Sequence, residues 1–202
     1  RKLIFKAIGN LLVKIAASPF DWMTPDKQST FRAINFSLLE PGLSSEQYAR
    51  LDKMAEALTE DQTLKVRLTQ SVSYSRAVRE IADMNLKMAY YNSQQENPNE
   101  RLDMLDFERI NEMRLSSRDV GKFADSLLRM RGIKAEALYS DVIDMQLSRI
   151  MELRNKIIGD YMSFQHKELP EGSFTMESMT LEQMKSYNGR ERLAVTLIID
   201  DE

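Results

Sequence analysis

The chain has 202 residues, 43% hydrophobic and 29% charged, with a formal net charge of −3. That length supports a sizeable core in one domain, or one domain with an appendage, and the acidic balance argues against nucleic acid as a main partner. No uninterrupted apolar run reaches membrane-spanning length, and without Cys there is neither a disulfide nor thiol chemistry.

The sequence opens Arg1-Lys2-Leu3 without Met and reads as a piece of a longer protein, with any signal or anchor segment upstream. Residues 2–17, KLIFKAIGNLLVKIAA, place apolar side chains at helical spacing, which predicts an amphipathic helix. Its apolar face would hold Leu3, Ile4, Ile8, Leu11, Leu12 and Ile15, opposite Lys2, Lys6, Asn10 and Lys14. The expected role of that face is packing on this domain or on an upstream one; the second reading is contact with a membrane surface. Ser18-Pro19 stops the helix, and the turn-rich 21–29 completes an N-terminal segment of 1–29.

From residue 30 to 202 the pattern predicts one α+β domain, a small four-stranded mixed sheet covered by helices. Thr30–Leu39 reads as the first strand, ended by Glu40-Pro41-Gly42. Ser44 and Gln47 form a capping box for a helix burying Tyr48, Leu51, Met54, Ala55 and Leu58, with Leu43 stapled to Tyr48. Leu64–Thr69 alternates as the second strand. A helical insertion follows at about 72–140: one helix with Ala77, Ile81, Met84, Met88 and Tyr91 on a face, a polar break at 94–99, a helix at Leu102–Met113, and another at Ser116–Arg131 capped by Ser116 and ended by Gly132. A long helix at Asp141–Phe164 is expected to bury Leu147, Ile150, Ile157, Ile158 and Tyr161. Phe174, Met176 and Ser178 form the third strand, Thr180-x-x-Gln183 caps a short helix, and Leu193, Val195, Leu197 and Ile199 form the fourth strand. Thirteen Met suit an adaptable helical core.

No catalytic constellation is present in the sequence. His166, the one histidine, ends a helix, where it suits the negative end of the helix dipole; no second His or Cys completes a zinc site. There is no G-x-S-x-G elbow and no Gly-rich phosphate loop. The pairs Asp103/Asp106, Asp141/Asp144 and Asp200/Asp201 read as solvated charges or caps. The expectation is a non-enzymatic protein without metal or cofactor.

Leu153–Met162, LRNKIIGDYM, lies between a β-α-β unit and two closing strands. That order, with Arg154 and Tyr161 seven residues apart, resembles the OmpA-like domain of bacterial envelopes. The resemblance implies a β-α-β-α-β-β frame in which an Asp after the second strand and the helix Arg grip the charged ends of the peptidoglycan stem peptide. Here Arg154 falls at the family's Arg, but Gln70-Ser71-Val72-Ser73-Tyr74 contains no Asp. Asn155 replaces the usual small residue, and the Leu-Ser pair stands about a turn upstream at Leu147-Ser148. Asp141 and Asp144 are the carboxylates that could substitute, so Arg154, Asp141 and Asp144 are the candidate ligand-binding residues; the other reading of Arg154 is a structural salt bridge. A second resemblance is carried by KAIGNLLVKIAASPFDWM, which looks like a segment near the C-terminus of large AsmA-like envelope proteins, preceding a degenerate OmpA-like tail. Those proteins are anchored in the inner membrane and extend through the periplasm, and their relatives are implicated in phospholipid movement. The resemblance implies a periplasmic C-terminal module that contacts envelope proteins or upstream domains of its own chain. The alternative is an OmpA-like peptidoglycan-binding domain.

Overall fold

The computed structural model describes residues 2–6, 31–40, 42–96 and 102–200. Among them the fold is α+β, built on one mixed sheet. The strands are β1 (Lys2–Lys6), β2 (Ile34–Asn35), β3 (Leu64–Ser71), β4 (Phe174–Ser178) and β5 (Arg192–Asp200). The helices are α1 (Ser45–Glu60), α2 (Tyr74–Ser93), α3 (Met104–Glu112), α4 (Arg118–Arg131), α5 (Ala135–Leu138), α6 (Ser140–Gln165) and α7 (Leu181–Ser186). Sheet order is β1-β5-β3-β4, with β2 also paired to β5. Two compact units divide the described chain, one within Arg1–Tyr74 and Ile150–Glu202, the other Ser75–Arg149.

In the first unit, β3 and β5 run antiparallel at the centre of the sheet, in the register Leu64↔Ile199, Val66↔Leu197 and Leu68↔Val195. Alternation puts Leu64, Val66 and Leu68 on one buried face, and Leu193, Val195 and Leu197 are buried beside them. β4 lies parallel to β3, which makes the sheet mixed. The predicted capping box starts α1: the Ser44 hydroxyl accepts from the Gln47 amide and the Gln47 side chain accepts from the Ser44 amide. Leu51, Met54, Ala55 and Leu58 then fall on one buried stripe. The Thr180/Gln183 box is likewise formed at α7.

The helix expected from Leu3 is not found at its start. Lys2–Lys6 form β1, antiparallel to β5, with Leu3 paired to Ile199 and Ile4 to Ile198. A short apolar run reads equally as helix or strand, and here a complementary β-branched strand settles it. Ile8, Leu11, Leu12 and Ile15 lie outside the described residues. The expected strand Thr30–Leu39 shortens to β2, because carbonyls beyond it bond to a side chain instead of a ladder.

In the second unit, α2 buries Ala77, Ile81, Ala82, Asn85, Leu86 and Tyr91, whereas Met84 and Met88 stay half-buried. Asp103 and Asp106 close a capping box at α3, and Tyr91 donates to Asp106. The cap of α4 is Ser117, one residue after the predicted Ser116, and its side chain makes no capping bond. Gly132, at φ 65°, ends α4 in the left-handed conformation glycine favours.

Candidate functional site

α6 carries a buried stripe at Ile143, Leu147, Met151, Arg154, Ile158 and Met162, so Arg154 occupies a core position of the helix. Its relative exposure is 0%. Burying a charge is costly unless its hydrogen bonds are made, and this guanidinium makes them with neutral groups. Nη1 donates to Gln70 Oε1 at 3.0 Å. Nη2 faces three carbonyl oxygens, of Ser37, Leu38 and Glu40, each at 2.8 Å. The guanidinium carbon sits 3.9 Å from the centroid of the Phe36 ring, a cation–π contact. Nε has no hydrogen-bond partner among the described residues. Burial lowers the pKa to about 10, which leaves the group charged at neutral pH.

Gln70 is held in turn. Its Nε2 donates to the Met151 carbonyl and to Asn155 Oδ1, both at 2.6 Å, while Asn155 Nδ2 donates to Ser178 Oγ at 3.0 Å. A polar network therefore links the ends of β3 and β4 to the turn after β2 through α6. Neither Asp141 nor Asp144 is among the partners of Arg154. Both are exposed on the early turns of α6, and Asp141 accepts a hydrogen bond from Ser140 Oγ.

A second cluster joins α1 to the end of α6. Asp52 Oδ1 accepts from Tyr161 Oη at 2.7 Å and lies 2.8 Å from His166 Nε2. His166 Nδ1 lies 3.4 Å from Glu168 Oε1. The Tyr161 ring packs on Tyr48 with centroids 4.4 Å apart. The bond to Asp52, with burial, pushes the Tyr161 phenol up to about 12. His166 follows the last residue of α6, as expected, and its side chain lies between the carboxylates of Asp52 and Glu168. Asp52 carried no sequence signal, because its partners are more than a hundred residues away along the chain.

Among the described residues no group of three or more His, Cys, Asp or Glu could hold a metal ion, and no helix is long and apolar enough to cross a membrane. Comparison with protein-family models, with curated proteins and with solved structures finds no match to this chain.

Proposed function

We propose that this chain is a non-enzymatic, periplasmic C-terminal module of an AsmA-like envelope protein, built on an OmpA-like frame that makes protein or envelope contacts. The observation that carries this reading is the state of Arg154. A guanidinium that held a ligand carboxylate would present a free fork. This one is fully buried, and both of its terminal nitrogens are engaged by Gln70 and the carbonyls of the turn after β2. The arginine is read as a strut that fixes that turn against α6. Exposed apolar side chains on the second unit, among them Phe107, Met130 and Met145, suit a contact role.

Two measurements test the proposal. Purified chain mixed with peptidoglycan sacculi should sediment no more than a folded control protein of similar size. Retention that free stem peptide competes away would establish the alternative, a peptidoglycan-binding domain. In the full-length parent protein, alkaline phosphatase fused after residue 202 should be active, as it is only outside the cytosol; an inactive fusion of full expression would refute the periplasmic placement.

A further inference from the structure

The end of α4 lies in the second unit and is held from both sides. The Gly132 amide donates to the carbonyls of Leu128 and Arg129, and the Ile133 amide donates to the Leu128 carbonyl. The Lys134 carbonyl accepts from Ala137 and Leu138 as α5 begins. Between these bonds the turn Arg129-Met130-Arg131-Gly132-Ile133-Lys134 is exposed throughout. Met130 is 77% exposed and Ile133 40%. The residues of this unit outside the described ones, NPNER at 97–101, are polar and bring no apolar cover.

From Arg114 to Lys134 the chain exposes six cations, Arg114, Arg118, Lys122, Arg129, Arg131 and Lys134, against the two carboxylates Asp119 and Asp125. The whole protein carries −3, so this excess is local. Asp125 reaches Arg129 at 3.9 Å with both side chains mostly in water, where an ion pair has little net strength. Arg131 and Lys134 have no ion-pair partner among the described residues. The negative end of α4 accounts for cations in its last turn. It does not account for Lys134, which lies beyond the helix, or for the apolar side chains set between the cations.

We infer that this turn is a membrane-surface contact, in which the headgroups of an anionic lipid bilayer meet Arg129, Arg131 and Lys134 while Met130 and Ile133 enter the acyl boundary. The interleaving of the two kinds of side chain selects this occupant. Arg and Lys have long apolar stems, so their charged ends reach back to phosphate while their neighbours go deeper. Nucleic acid would engage the cations and leave Met130 and Ile133 in water. A dry protein groove would cover Met130 only by also stripping water from the unpaired Arg131 and Lys134. The turn is already fixed by its own hydrogen bonds, so contact costs little ordering. The inference gives the proposed contact role a particular partner but rests on this turn, not on the periplasmic placement, and vesicles alone test it.

Purified chain should stay in the supernatant with phosphatidylcholine vesicles. With vesicles of equal parts phosphatidylcholine and phosphatidylglycerol it should cosediment at low salt and be released at high salt. A basic side chain near an anionic bilayer contributes about fivefold in affinity, so Arg131→Ala combined with Lys134→Ala should weaken binding about 30-fold. Met130→Ser should weaken it at every ionic strength without changing the salt dependence. These side chains are exposed, so the variants should keep the circular dichroism of the unaltered chain. The chain has no Cys, so Met130→Cys can carry a single environment-sensitive dye. Its emission should shift to the blue on anionic vesicles, and the same dye at Ser148→Cys, exposed on α6, should shift far less. A chain that ignores anionic vesicles overturns the inference, as does one that binds neutral vesicles equally well. Binding that the double variant keeps overturns it too, by placing the contact elsewhere, and retention on double-stranded DNA in place of vesicles would give the cations to nucleic acid.

Discussion

Arg154 shows how one side chain can be both conspicuous in a sequence and opaque there. Its depth was not legible: the expected buried face ran through Ile150, Ile157 and Tyr161, whereas the stripe that is buried is 143-147-151-154-158-162, with a charged residue at a core position. Nor were its partners, because three peptide carbonyls carry no side-chain signature and Gln70 lies 84 positions away. Arg154→Ala would leave buried acceptors without a donor and a cavity beside Phe36, and should cost about 2–5 kcal/mol in urea unfolding. Arg154→Lys, which keeps the charge but loses the planar fork, should recover only part of that. A loss below about 1 kcal/mol for the alanine variant would refute the strut. Tyr161 makes a separate prediction. The folded state raises its pKa to about 12, so its contribution is complete below the unfolded value of about 10 and is lost as pH rises between the two. The stability difference between the unaltered chain and Tyr161→Phe should therefore shrink over that window, and a difference that stays constant would contradict the Asp52 bond. Comparing these two proteins cancels Arg154, whose lowered pKa acts in the opposite sense at alkaline pH.

The helices and strands divide by how far away their determinants lie. The boxes at Ser44/Gln47 and Thr180/Gln183 were legible because every participant sits within four residues. α4 is instructive by contrast, since the expected cap is Ser116 and the structure uses Ser117, without its side chain. Ser44→Ala should thus cost about 1 kcal/mol, while Ser117→Ala should change thermal stability very little; equal losses would contradict the observed cap geometry. β1 escaped the sequence because Leu3-Ile4-Phe5 reads either way until β5 supplies its ladder. β2 stops at Asn35 for a related reason: the carbonyls of Ser37, Leu38 and Glu40 are given to Arg154, so no strand continues there.

Taken whole, the chain places two compact units on one covalent thread, with α6 contributing its first turns to one and the remainder to the other. Each has its own buried residues: Leu64, Val66, Leu193 and Val195 in the first, Ile81, Leu86, Ile110 and Val120 in the second. Native-state hydrogen exchange in rising denaturant should resolve two families of amides, one from Ser75–Arg149 and one from β3, β5 and the later turns of α6. A single shared opening free energy would show that the division has no thermodynamic meaning. Helical periodicity announced most of the second unit, since a helix face is written in residues three and four apart. The sheet order could not be read in the same way, because it is decided by pairings between the two ends of the sequence.

That wiring has a consequence for biosynthesis. The turn Ser37–Glu40 leaves the ribosome early, yet the guanidinium that secures it follows 114 to 117 residues later. β3 likewise waits for β5, the last strand of all. Ser75–Arg149 is continuous in sequence and can settle during that interval. A chain interrupted before Arg192 would carry a finished insert between two halves of an unfinished sheet, and its open strands would be the part exposed to proteases and chaperones.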